Sequence, residues 1–182
     1  MKSKIITALV VMGAATASQF AAAADGTITF NGQVTAQTCT INGNGSGSKD
    51  FTVTLPTVST SALAAAGATA GRTAFNIALT NCTPASGSVH TFFEPGPTVN
   101  LTTGQLRVAA GANSATNVEI GLLNDDFSAI KAGAADASQN SKPANISATG
   151  TATLPYFAQY VATGVAGAGA ANSSVQYTLV YQ

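Results

Sequence analysis

The chain has 182 residues, seven Lys and Arg against seven Asp and Glu, and only 8% charged side chains. Phosphate recognition needs clustered basic side chains, so this composition excludes a nucleic-acid partner. Zero net charge protects a free monomer little against association, and the many Ala, Gly, Thr, Ser and Asn residues suit a surface that touches other protein.

The first residues read as an export signal. Met1, Lys2 and Lys4 precede an apolar run from Ile5 to Val11, and small residues end at Ala21-Ala22-Ala23-Ala24. A cationic start, a short apolar stretch and small residues at the end make a secretory signal peptide over 1–24, with cleavage expected within Ala22–Ala24. The stretch is too short for a membrane span. About 158 residues remain, one domain by size and enough for a core.

Strand patterns dominate the rest of the chain. In Thr27–Val34, Ile28, Phe30 and Val34 share one face, with Gly32 at the remaining step and polar Thr29, Asn31 and Gln33 opposite. Strict alternation predicts a half-buried strand. Gly43–Ser48 is a turn or loop. Phe51–Leu55 alternates again and stops at Pro56; Phe75–Leu79 alternates and runs into Cys82. The one predicted helix is short: Ser59-Thr60-Ser61 caps Ala62–Ala66, and Gly67 ends it. Further strands are expected at Val89–Phe93, Gln105–Val108, Val118–Leu123 and Leu154–Val161. Asn124-Asp125-Asp126 reads as a turn, and 133–143 and 164–172 as loops of small residues. The final stretch, Val175–Gln182, puts Val175, Tyr177, Leu179 and Tyr181 on one face. Many short strands in one domain predict an antiparallel β-sandwich.

Chemistry-bearing residues are scarce. His90 is the single histidine and lies within an expected strand, where a surface or packing role fits better than catalysis. Asp125-Asp126 lacks the alternating spacing of a calcium loop. Gly43–Asp50 lacks the Gly-Lys-Ser/Thr ending of a phosphate-binding loop, and an all-β context denies it the following helix. Cys39 and Cys82, the two cysteines of an exported chain, are most simply one disulfide; closing a loop of about 43 residues contributes about 4 kcal/mol. The residues therefore point to no enzyme, no cofactor and no metal, and leave open a structural protein or a secreted sandwich binding a carbohydrate or protein ligand.

Several segments, in order, carry a family resemblance. Phe30-Asn31-Gly32-Gln33-Val34 followed by Cys39 resembles the opening of type 1 fimbrial major subunits, and Leu79-Thr80-Asn81-Cys82 is similar to their second cysteine segment. Ser114–Val118, Phe157–Gly164, Gly169–Asn172 and Tyr177–Gln182, with Tyr181 penultimate, complete the match across the whole exported part.

The resemblance implies an incomplete immunoglobulin-like antiparallel β-sandwich, finished by a donor strand from a neighbouring subunit. It implies a structural fibre subunit, exported through the periplasm to a fimbrium (pilus) on the cell surface and used in adhesion. Its partners would be identical or related subunits, a periplasmic chaperone and an outer-membrane usher. Residues 25–36 would be the N-terminal extension and 37–182 the sandwich domain. Ile28, Phe30, Gly32 and Val34 would enter a neighbour's groove by strand addition. Val175, Tyr177, Leu179 and Tyr181 would form the groove-edge strand met by the chaperone, with Gly169 matching the family glycine before it. A chain of this length has no room for an additional lectin domain, so a shaft or adaptor subunit is expected rather than a tip adhesin.

Overall fold

The computed structural model describes residues 25–182; the expected signal peptide, 1–24, lies outside the described residues. The chain divides into one unit ending at Val34 and another spanning Thr35–Gln182.

In the first unit, residues 26–34 form no hydrogen-bonded ladder. The strand expected at Thr27–Val34 is thus unpaired. Ile28, Phe30 and Val34 are 80%, 88% and 99% exposed, although alternation of this kind suits a half-buried strand.

In the second unit the strands are β1 (Thr38–Gly43), β2 (Thr69–Thr83), β3 (Ser88–Phe93), β4 (Val99–Asn100), β5 (Gln105–Arg107), β6 (Thr116–Asn124), β7 (Ala129–Ile130), β8 (Ala144–Asn145), β9 (Ala152–Gly167) and β10 (Tyr177–Tyr181). A seven-stranded sheet runs β1-β2-β9-β6-β5-β4, with β7 also on β6, and a smaller sheet runs β10-β3-β8. All these ladders are antiparallel.

The core lies between the two sheets, and period-2 register builds it. Phe75, Ile77 and Leu79 of β2 pair with Tyr156, Leu154 and Ala152 of β9, so their large side chains point to one side. All six are buried, and Val89 and Phe93 of β3 face them within the same cluster. Phe75 and Phe93 both contact the Tyr156 ring, at centroid distances of 5.6 and 5.5 Å. A disulfide joins Cys39 to Cys82 across the neighbouring strands β1 and β2.

Several expectations need correction. Phe51–Leu55 keeps its alternation, with Phe51, Val53 and Leu55 half-buried and Thr52 and Thr54 exposed, yet pairs with no strand. The predicted helix is a 3₁₀ turn over Thr60–Leu63, capped by Ser59, whose Oγ accepts from the Ser61 amide. It ends early because Leu63 is pulled into a small second cluster with Val118, Ala162 and Ala166. β2 and β9 extend well past the apolar runs that signal them, and β9 takes the first part of the expected 164–172 loop. The expected loop 133–143 contains a one-turn helix, α1 (Asp136–Gln139), which buries Gln139 completely.

Candidate functional site

The two sheets do not close on each other along one side. β1 is an edge of the large sheet and β10 an edge of the small one. β10 is paired by β3 on one side, from Tyr177 opposite Phe93 to Tyr181 opposite Val89, and by no strand among the described residues on the other. Such an edge presents unpaired N–H and C=O groups, which can pair with an added strand.

Beside that edge lies an open groove of about 800 Å³. Its floor is the apolar core itself, including Ile77, Phe93, Leu106, Ile120, Leu122 and Ala158. One rim is Val175, Tyr177, Leu179 and Tyr181; the other is Ile41 of β1 followed by Phe51, Val53 and Leu55. The unpaired state of Phe51–Leu55 follows from this position, since its side chains reach the core while its backbone borders an empty strand position.

Aromatic rings from the two rims meet across the groove. The Phe51 ring lies 6.3 Å from the Tyr177 ring and 6.1 Å from Phe75, and the Tyr177 hydroxyl donates to the Lys49 carbonyl at 2.8 Å. Gly43 makes room for this arrangement: a Cβ there would come 1.9 Å from Phe51 Cδ1. Burial raises the pKa of the Tyr177 and Tyr181 phenols, with the Asp50 carboxylate adding to the effect at Tyr177. The neutral phenols leave that rim uncharged.

Of the residues singled out in the sequence, Val175, Tyr177, Leu179 and Tyr181 come together on one rim. Gly169 does not join them. It lies against the 113–115 segment, where a Cβ would meet Ala115 N and Ser114 C at 2.5 Å, and its φ of +156° is in the region that favours glycine. Ile28, Phe30, Gly32 and Val34 belong to the first unit, and a Cβ on Gly32 would meet nothing within 4 Å. Sequence reasoning misses the opposite rim as part of a site; the alternation of Phe51, Val53 and Leu55 is its signal.

His90 is buried, with its Nε2 2.8 Å from Asp136 Oδ1. Among the described residues no three His, Cys, Asp or Glu side chains gather where they could hold a metal ion. The groove offers shape, apolar surface and a free strand edge, which is the equipment for binding an extended peptide.

Comparison with known proteins gives a consistent result. The family model described as FimA, Type-1 fimbrial protein, A, matches residues 55–182. The chain is 53% identical over 162 residues to the major fimbrial subunit SMF-1 of Stenotrophomonas maltophilia, covering 87% of this chain and 94% of that one. It is 35% identical over 190 residues to a type-1 fimbrial protein A chain of Escherichia coli, covering all of both. Among solved structures, a type I fimbria protein and antigen of Burkholderia pseudomallei aligns with a TM-score of 0.56 at 27% identity, over 80% of this chain and 99% of that one. The P pilus rod subunit PapA shares the fold, with a TM-score of 0.56 at 21% identity over 79% of this chain and 99% of its own.

Proposed function

The chain belongs to the type-1 fimbrial protein family and is a structural subunit of an extracellular fimbrium, and from that premise we propose that it polymerises through its own groove and N-terminal extension. Ile28, Phe30, Gly32 and Val34 of one copy enter the groove of the next, and the donated backbone pairs with the open edge of β10. Main-chain hydrogen bonds supply the ladder, and alternate side chains fill the floor. The observation that carries this reading is the open β10 edge beside an apolar groove, in a chain whose alternating N-terminal segment has no ladder partner.

Size and shape support it. Burying the exposed Ile28, Phe30 and Val34 side chains contributes roughly 5–9 kcal/mol of gross apolar transfer. Gly32 is the one position on that face without a side chain, and the Phe51 and Tyr177 rings, 6.3 Å apart, form a constriction between the two rims. Setting Gly32 against the constriction leaves both neighbouring apolar residues in wider space.

Before assembly the groove requires a temporary occupant, because an apolar trough with a free strand edge promotes aggregation. A periplasmic chaperone fills it, meeting the rim at Val175, Tyr177, Leu179 and Tyr181, and an outer-membrane usher exchanges that strand for the next subunit's extension. The signal peptide at 1–24 delivers the chain to that compartment, residues 25–36 act as the donated extension, and 37–182 as the receiving domain. The protein performs no chemical step.

Gly32→Asn tests the reading. The extension is not part of its own subunit's core, so the thermal stability of the chaperone-bound subunit should stay at the wild-type value. Fibres should be absent by electron microscopy, because a polar side chain cannot occupy the constriction. Normal fibres, or a destabilised chaperone-bound subunit, would refute donation through this segment.

A further inference from the structure

Past Leu55 on one rim and Ser173 on the other lies a second, separate hollow of about 330 Å³, lined about one alternation step further along the same strands. On the floor, Ile120 of β6 gives way to Val118 and Ala158 of β9 to Tyr160; on one rim Leu55 gives way to Thr57 and Val58. On the other rim the chain ahead of Val175, residues 168–171, takes over. Tyr160 packs against both the main core and the small cluster around Leu63, so it forms the sill between the two spaces.

The wall at 168–171 is firmly built. Ala170 N donates to Asn113 O at 2.8 Å and Ala115 N to Ala170 O at 2.9 Å, and Gly169 permits this backbone-to-backbone approach. No charged side chain among the described residues lines the hollow.

We propose that this hollow is a second seat for the neighbouring subunit, and that it receives Thr35 and Ala36 of the incoming copy. The proposal rests on the donor-strand reading above and extends it to residues beyond the four alternating ones. Length argues for an overrun. Residues 25–37 in extended form span roughly 43 Å, whereas the rim from Val175 to Tyr181 spans roughly 23 Å. A donated segment that fills the groove must therefore pass its ends.

Chemistry decides which end reaches the hollow. The residues before Ile28 include Asp25, whose carboxylate would lose its hydration among alanines without a partner. Those after Val34 are a threonine and an alanine, small and uncharged, and both are exposed in the single chain. The next residue, Gln37, is held by its own body, its Nε2 donating to Pro84 O at 2.7 Å. Thr35 and Ala36 thus form the joint between the donated strand and the body that donates it. Seating that joint makes the contact between successive subunits stiffer than the groove alone would.

The test uses cysteine pairs in fibres assembled in cells and run on non-reducing gels, with Cys39–Cys82 verified intact by mass mapping. Ala36→Cys combined with Ala171→Cys should give a ladder of disulfide-linked subunits. Val34→Cys with Val53→Cys reports the groove itself. Cross-linking of the groove pair without the Ala36 pair overturns the second seat and leaves donation standing. Cross-linking of Thr27→Cys with Ala171→Cys instead places the opposite end in the hollow and also overturns it. If neither the groove pair nor the Ala36 pair links, the donor-strand reading fails as well. Independently, Ala36→Asp fibres should form and then dissociate in denaturant about tenfold faster than wild type, because a charge is forced into an apolar seat; unchanged dissociation rates would refute the seat.

Discussion

Replacing Gln139 with leucine tests how the small sheet keeps the groove rim in place. β8 pairs with β3 only at Ser88 and Val89, so the far end of β3 lacks a strand neighbour on that side. Gln139, fully buried on α1, supplies the missing partner. Its Oε1 accepts from the Phe93 amide at 2.9 Å, and its Nε2 donates to Phe93 O at 2.7 Å and Ala134 O at 3.1 Å. Phe93 sits directly opposite Tyr177, the first residue of the β10 rim. Leucine matches glutamine in size closely enough to leave no large cavity, so lost hydrogen bonds dominate the cost. An orphaned buried amide costs about 1–3 kcal/mol, and each weakened carbonyl contact about 0.5–1.5 kcal/mol. Phe93 O keeps one donor, the Gly133 amide at 3.0 Å, and the buried leucine recovers part of the loss. The expected net destabilisation is therefore roughly 2–3 kcal/mol. Denaturant unfolding of purified fibres, followed by far-UV circular dichroism, measures it, and hydrogen exchange at the Phe93 amide should accelerate in parallel. An unchanged unfolding midpoint with the Phe93 amide still protected would show that Gln139 does not act as a substitute strand.

Two further outcomes follow from the core. Cys39→Ser or Cys82→Ser opens a loop of 43 residues and removes about 4 kcal/mol, a large share of a typical domain's stability of about 5–15 kcal/mol; periplasmic subunit levels should fall sharply, and normal levels of either variant would contradict this. Tyr156 is buried and its phenol pKa is raised above the ordinary 10.0, chiefly by burial. A raised folded-state pKa means this contribution is complete below pH 10 and is lost as pH rises through the folded value. Fibres should therefore weaken in alkali above about pH 10, and Tyr156→Phe should reduce that loss, with a residual slope from Tyr177 and Tyr181, whose pKa values are also raised. An identical alkaline limb in Tyr156→Phe would rule Tyr156 out as its source.

Why part of this molecule is legible in its sequence, and part is not, comes down to what alternation records. Phe75–Leu79 and Val89–Phe93 stand out because alternate residues of each meet the same core; in Val118–Leu123 Ile120 and Leu122 join that core, Val118 joins the second cluster, and both faces of the strand are buried. The short strands β4, β7 and β8 have two residues each, too few for a period, and exist because longer neighbours hold them. β1 is obscured because its inward positions include Cys39 and the small Gly43, whose missing side chain is explained only by the Phe51 ring lying over it. The capacity of Gln139 to act as a strand is equally hidden, since one amide side chain in a loop of small residues has no pattern around it. The groove is a different case. Phe51–Leu55 and Val175–Tyr181 each advertise an inward face, and each has one, half-buried along the groove. What neither can announce is that its backbone lacks a partner on one side, because alternation reports where side chains go and is silent about main-chain pairing. The same silence applies to Ile28, Phe30 and Val34, whose alternation calls for a core that the single chain's fold leaves unused. An alternating segment with exposed apolar residues and an apolar groove with an open edge are each costly alone. Their joint presence is most economically explained if the cost is removed between molecules, and the Gly32 and Ala36 substitutions act at the two places where that explanation is most exposed.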